Sequence, residues 1–303
     1  MKFVITGSLG HVGRPLTEEL VKRGHDVTVV SSKADRRVEI ESLGAKSAIG
    51  TFEDASFLTT TLRGADALFM LIATGQTSPD PNFDIDARFR AIGEACAQAI
   101  QAAGVTRLVY LSSIGAHLAS GTGLLRVHHK MEVFLNQLSR VAVTFLRPTG
   151  FYTSLYNFIP MIKARGMIAA GYGDGLDPWV SPTDIATAAA EELEALVATD
   201  AKAGARKVRY VASEELKGAE VARILGEAIG KPELKWVIVP GEQIKQGMMA
   251  NGMTPAIADA MVEMQANQRS GIISEDYQRN RPVLGRVKLT DFAKEFASAY
   301  HKS

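Results

Sequence analysis

The chain has 303 residues, 46% hydrophobic and 22% charged, with a formal net charge of +1. This balance fits an ordinary globular protein with a large core and gives no electrostatic basis for a nucleic-acid or membrane-surface partner. Cys96 is the single cysteine, which rules out an intrachain disulfide and fits a reducing, cytoplasmic setting. It stands in an alanine-rich stretch and reads as a small buried hydrophobe. No signal peptide is expected, because residues 1–6 run straight into a glycine turn, and no segment approaches the roughly 20 apolar residues of a membrane span.

The first half alternates between strand and helix patterns. Residues 2–6 form a short apolar strand. Residues 11–23 place Val12, Leu16, Leu20 and Val21 on one helical face, and Gly24 stops that helix. A strand is predicted over 26–30, a helix over 36–43 ending at Gly44, and a strand over 46–49. Asp54 is the expected N-cap of a helix over 54–63, with Gly64 as its stop. A strand over 66–72, a long helix over 84–103 closed by Gly104, and a strand over 107–111 follow. Helix over 124–138 and strand over 141–146 complete the series. Repeated strand–helix alternation with short connections predicts an α/β fold: a doubly wound parallel sheet of the Rossmann kind. Its apolar strands Val27-Thr28-Val29-Val30, Ala67 to Ile72 and Arg107 to Leu111 suit burial on both faces.

After Pro148 the rhythm changes. Residues 151–165 are rich in aromatics and methionine, and 166–175 read as a glycine-rich turn region. A helix is expected over 183–197, strands over 207–211 and 235–239, and a closing amphipathic helix over 289–300. A methionine cluster (Met248, Met249, Met253, Met261 and Met264) occupies 241–268. The predicted organisation is a dinucleotide-binding core over 1–150. Residues 151–303 hold the rest of the sheet and a smaller, mostly helical substrate lobe interleaved with the core.

The first strand runs into Thr6-Gly7-Ser8-Leu9-Gly10-His11-Val12-Gly13. Three glycines at this spacing, between a strand and a helix, suit a dinucleotide pyrophosphate. Gly7 permits the tight turn, Gly10 lets the backbone approach the phosphates, and Gly13 lets the helix pack closely. The helix start, with Ser8, His11 and Val12 beside the glycines, offers N–H groups to the anion. NAD-preferring sites carry an acid at the end of the second strand. Here that region reads Ser31-Ser32-Lys33, followed by Arg36 and Arg37. Hydroxyls and cations suit a 2′-phosphate, so NADP(H) is the expected cofactor, with NAD(H) also accommodated. Ala73 and Thr74, in the loop after the fourth strand, should pass near the nicotinamide.

The chain resembles the NmrA-like group of atypical short-chain dehydrogenases/reductases, and within it the bacterial NADPH-dependent quinone reductases. The glycine turn through Arg14, Gly50 to Asp54, Leu111-Ser112-Ser113, His129 to Glu132 and Thr144 to Pro148 carry the resemblance, together with Val180 to Ala186 and Leu284-Gly285-Arg286. It spans nearly the whole chain. Short-chain dehydrogenases place a serine after the fifth strand, here Ser112 or Ser113, and a Tyr-x-x-x-Lys pair on the next helix, where tyrosine protonates the substrate carbonyl. The residue four before Lys130 is Arg126, whose pKa is too high for that task. The resemblance implies that Lys130 bonds the nicotinamide ribose. His128 and His129 point about 100° apart, so they cannot both face a pocket equally. They have no third ligand at metal spacing, so no metal site is expected.

Without the tyrosine, an acceptor that takes hydride readily is favoured, such as a quinone or another planar aromatic electrophile. Phe151, Tyr152 and Tyr156 are the expected pocket lining, with Phe158, Tyr172, Trp179 and the methionines as further candidates. The resemblance also covers a second class of protein, a non-catalytic redox sensor that binds the dinucleotide without turnover. An exposed face on the 84–103 helix would support a homodimer.

Overall fold

The computed structural model describes residues 1–72 and 84–303. The first part of the chain alternates as the periodicity predicts: β1 (Lys2–Ile5), α1 (Gly13–Lys22), β2 (Asp26–Ser31), α2 (Arg36–Ser42), β3 (Lys46–Ile49), α3 (Ala55–Leu62), β4 (Ala67–Met70), α4 (Ile85–Ala103), β5 (Arg107–Leu111), α5 (Arg126–Leu135) and β6 (Ala142–Pro148). There follow β7 (Gly150–Phe151), α6 (Ile159–Arg165), β8 (Met167–Ala170), β9 (Asp177–Val180), α7 (Pro182–Ala198), β10 (Arg206–Val211), β11 (Glu214–Leu216), α8 (Gly218–Ala228), β12 (Lys235–Ile238), α9 (Gly241–Ala250), α10 (Pro255–Arg269), α11 (Glu275–Arg279) and α12 (Leu289–Lys302).

The chain divides into two compact units. Met1–Ser113, Val127–Arg147 and Ile185–Arg209 form the first; Ile114–Arg126, Pro148–Asp184 and Tyr210–Ser303 form the second. The chain passes back and forth between them, so no single cut near residue 150 separates them.

The first unit holds the sheet, in the order β10-β6-β5-β4-β1-β2-β3. The pairs from β6 to β3 are parallel, with Val4 opposite both Thr28 and Leu68. The strand order reverses between β1 and β4, which is where ligands bind in doubly wound sheets. All four residues of β4 are buried, as expected of a strand covered on both faces. Val4, Leu68, Leu108 and Tyr110 pack with Ile92 and Ile100 of α4 and with Val127, Met131 and Leu135 of α5. Asp54 caps α3 through Phe57 N, and Asp84 caps α4 through Asp86 N and Ala87 N; each such cap contributes about 1 kcal/mol. Gly104, left-handed at φ 73°, ends α4.

The second unit carries two small sheets, β11-β9-β7 and β12-β8, alongside its helices. Strand β8 falls inside the stretch read from sequence as a glycine turn. Tyr152, Trp179, Leu225, Phe292 and Phe296 belong to its core. Asp184 ties down the tail: its carboxylate accepts from Ser213 Oγ (2.6 Å), Arg286 N (3.2 Å) and Val287 N (3.1 Å). A Cβ on Gly285 would lie 2.2 Å from Asp184 Oδ2, so only glycine lets the backbone pass there.

Candidate functional site

The turn after β1 is held from below. Thr6 N and Ser8 N donate to Phe69 O and Val30 O, which anchors it to the neighbouring strands. The three glycines meet different demands. Gly7 has φ 92°, and a Cβ there would lie 2.6 Å from Leu71 Cδ2. A Cβ on Gly13 would lie 2.0 Å from Ser8 O, so the helix packs against the turn's own carbonyl. Gly10 is different: its backbone is not left-handed, and a Cβ would sit 3.8 Å from the nearest protein atom, Gly7 O. Neither conformation nor packing asks for glycine at that position. A cradle that must stay clear for an outside group does. No side chain caps α1, and no acid lies in its first turn, so the helix start suits an anion. These residues fit a dinucleotide pyrophosphate.

At the end of β2, Ser31 is buried and Ser8 Oγ donates to its Oγ at 3.0 Å. Lys33 N also donates to Ser31 Oγ at 3.2 Å. Ser31 is thus a fixed part of the floor, whereas Ser32 and Lys33 are exposed. Arg36 is half-buried and bonds Glu39. Glu39 also receives Arg14 of α1. Neither Arg14 nor Glu39 was marked by the spacing, because the two meet only once α1 and α2 are folded side by side.

The carboxyl ends of β5 and β6 meet α5 at a buried polar cluster. Arg147 Nε and Nη2 donate to the two carboxylate oxygens of Glu132 at 3.0 and 2.6 Å. Ser112 Oγ donates to Glu132 Oε1 at 2.5 Å. One turn earlier, His128 Nδ1 lies 2.8 Å from Tyr110 Oη. Burial pushes the His128 imidazole down to about 4, so the ring is neutral near pH 7. Burial, and then the charge of Glu132, push the Tyr110 phenol well above its usual value.

The buried residues of α5 are Val127, His128, Met131, Glu132 and Leu135. Lys130 lies outside that set: it is exposed, and its Nζ pairs with Asp86 Oδ1 of α4 at 3.1 Å. The side chain expected at the nicotinamide ribose therefore engages α4 instead. It borders a groove of about 430 Å³ lined by Phe89, Val127, Met131 and Phe134 among others. The sequence signals for the inward pair were Arg147, a charge in the apolar strand AVTFLRP, and Glu132, one turn from His128 on the same helical face.

The expected pocket aromatics lie in the second unit, where Tyr152 is a core residue and Tyr156 is half-buried against that core. Tyr152 is fully buried, donates to Glu214 Oε2 at 2.8 Å and stacks on Phe292 at 5.6 Å. Tyr156 packs on Phe292 and Phe296 at 5.1 and 6.0 Å. The lining role expected of Tyr152 is thus replaced by packing, whereas Tyr156 keeps part of its ring exposed. Phe151 is half-buried at the end of β7. Ala73 and Thr74 lie outside the described residues. Among the described residues no group of three or more His, Cys, Asp or Glu is placed to hold a metal, and no helix is long and apolar enough to cross a membrane. Cys96 is buried and its thiol is pushed up to about 12, chiefly by burial, which makes it inert.

Residues 7–196 match a family described as NAD(P)H-binding. Among curated proteins, the chain is 27% identical over 303 residues to an NAD(P)H azoreductase of Xenophilus azovorans, covering 98% of each chain. It is 26% identical over 299 residues to a (4-alkanoyl-5-oxo-2,5-dihydrofuran-3-yl)methyl phosphate reductase of Streptomyces griseus, again covering 98% of each. Among solved structures, an NADPH-dependent quinone oxidoreductase from Escherichia coli complexed with NADPH superposes with a TM-score of 0.78 at 19% identity, covering 97% of this chain and 99% of that one. A triphenylmethane reductase of Citrobacter sp. complexed with NADP(H) gives 0.75 at 19% identity and the same coverage.

Proposed function

The chain belongs to the NAD(P)H-binding family, and we propose that it is an NADPH-preferring reductase of quinones or similar planar electrophiles. The carrying observation is the inward face of α5. No tyrosine stands on this helix, which reads RVHHKMEVFL. Its inward polar groups are a histidine that is neutral near pH 7 and a carboxylate held by arginine and serine. None of these is the strong proton donor that ketone reduction asks of the protein. A quinone makes less demand, because its reduced oxygen takes a proton from water. The names of the similar proteins, with azo, quinone and triphenylmethane among them, support the same substrate class.

In this reading Gly7, Ser8, Gly10, His11, Val12 and Gly13 hold the pyrophosphate, and Ser31, Ser32, Lys33 and Arg36 hold the 2′-phosphate. NADPH, when bound, supplies the hydride. The protein contributes position. Glu132, clamped by Arg147, holds Ser112 at the end of β5 and so fixes the backbone that leads into Ser113. The test is steady-state loss of dihydronicotinamide absorbance with a panel of small quinones and azo compounds. Saturable turnover with NADPH, faster than with NADH, is the expected result. Tight NADPH binding with no turnover on any acceptor would leave a dinucleotide-binding sensor instead.

A further inference from the structure

At the carboxyl end of β2 two guanidinium groups share one carboxylate. Arg14, the second residue of α1, and Arg36, the first of α2, donate to opposite oxygens of Glu39. Arg14 also reaches Glu18 one helical turn away at 3.3 Å. The bond from Arg36, with the further charge of Arg14, keeps the Glu39 carboxyl below the usual range and therefore ionised. The three side chains are 39%, 40% and 34% exposed, so a ligand can reach them. Ser31, bonded to Ser8, is the fixed last residue of β2, five positions before Arg36.

We propose that Glu39 is a specificity-determining residue: an internal anion that competes with the cofactor's 2′-phosphate for Arg14 and Arg36, and so tunes NADPH affinity downward without touching NADH. The inference rests on the reading above, which puts the 2′-phosphate at the end of β2, and it adds Arg14 to the phosphate's ligands. A phosphate monoester brings between one and two negative charges at neutral pH. Both guanidinium forks that suit it are already turned toward Glu39. Binding the phosphate requires either turning an arginine away from the carboxylate or seating one anion beside another, and both are costly. NADH carries a neutral 2′-hydroxyl and meets neither cost. A glutamine at position 39 keeps the shape and an acceptor oxygen for one arginine but removes the repulsion.

Calorimetric titration of the wild type, Glu39→Gln and Arg14→Gln with NADPH and with NADH separates the possibilities. Glu39→Gln should tighten NADPH about tenfold, Arg14→Gln should weaken it about tenfold, and neither should move NADH by more than about twofold. Raising the salt concentration should shrink both NADPH effects. A wild type that binds the two dinucleotides equally, with neither substitution changing NADPH affinity, overturns the NADPH reading and this inference together. A wild type that prefers NADPH, with Glu39→Gln unchanged or weaker toward it, overturns this inference alone. A shift shared equally by NADPH and NADH also overturns it, because a general loss of the folded site moves both.

Discussion

Removing the Glu132 carboxylate should be among the most destabilising single changes in the first unit. Glu132 and Arg147 expose only 7% and 8% of their side chains. Their two nitrogen–oxygen contacts, at 3.0 and 2.6 Å, form a bidentate fork, and Ser112 Oγ adds a third bond at 2.5 Å. Glu132→Ala leaves a buried guanidinium without its carboxylate, which costs about 3–5 kcal/mol. That is a large share of the roughly 5–15 kcal/mol by which folded proteins are stable. Glu132→Gln keeps the shape and one acceptor, so about 2 kcal/mol is expected. Glu132→Leu combined with Arg147→Met removes both charges at similar volume and should recover most of the loss, to within about 1–2 kcal/mol of wild type. Urea unfolding at one pH, with the slope compared across variants, measures all four proteins. A cost below about 1 kcal/mol for Glu132→Ala, or a double variant that loses as much stability as Glu132→Ala, would refute the reasoning.

The glycine turn offers a paired test. Gly10→Ala meets no protein atom closer than 3.8 Å, so stability should stay within about 0.5 kcal/mol while NADPH binding weakens at least about tenfold. Gly13→Ala would set a Cβ 2.0 Å from Ser8 O and should cost more than about 2 kcal/mol by the same urea assay. His128 titrates at about 4 when folded against 6.5 when free. As pH falls between those values the unfolded chain takes up the proton first, so stability drops by about 3 kcal/mol. Comparing unfolding of the wild type and His128→Asn across pH 4–7 checks this, since the variant should lack that slope. Burial raises the Asp177 carboxyl to about 6, against a hydrogen bond from Gln268. The folded state is therefore penalised as pH rises from 3.8 to about 6, and Asp177→Asn should stabilise by about 3 kcal/mol at pH 8 and do nothing below pH 4.

What could be read from the sequence was the local part. Strand and helix periods, the cap at Asp54, and the three glycines are set by residues close together in the chain. They mark the doubly wound sheet and the turn where the structure has them. In the second unit, β8 is four residues flanked by Gly166 and Gly171, too short for alternation to outweigh its glycines. The site's charged clusters were not legible for a related reason. Glu132 lies 20 residues from Ser112 and 15 from Arg147, and Arg14 lies 25 from Glu39. These partners are chosen by the packing of α5 on β5 and β6, and of α1 beside α2. Lys130, whose ribose role came from the resemblance, lies two positions along α5 from His128, is exposed and pairs with Asp86. Tyr152 shows that an aromatic run marks a core as readily as a pocket.

Hydride transfer itself can be observed in a single turnover. Protein loaded with NADPH, deuterated or not at the transferring carbon, is mixed rapidly without oxygen with excess of a small benzoquinone. The expected result is one hydroquinone formed per bound NADPH, with slower decay of the dihydronicotinamide signal for the deuterated cofactor. Bound NADPH that persists unoxidised with every quinone tried would contradict the reductase assignment.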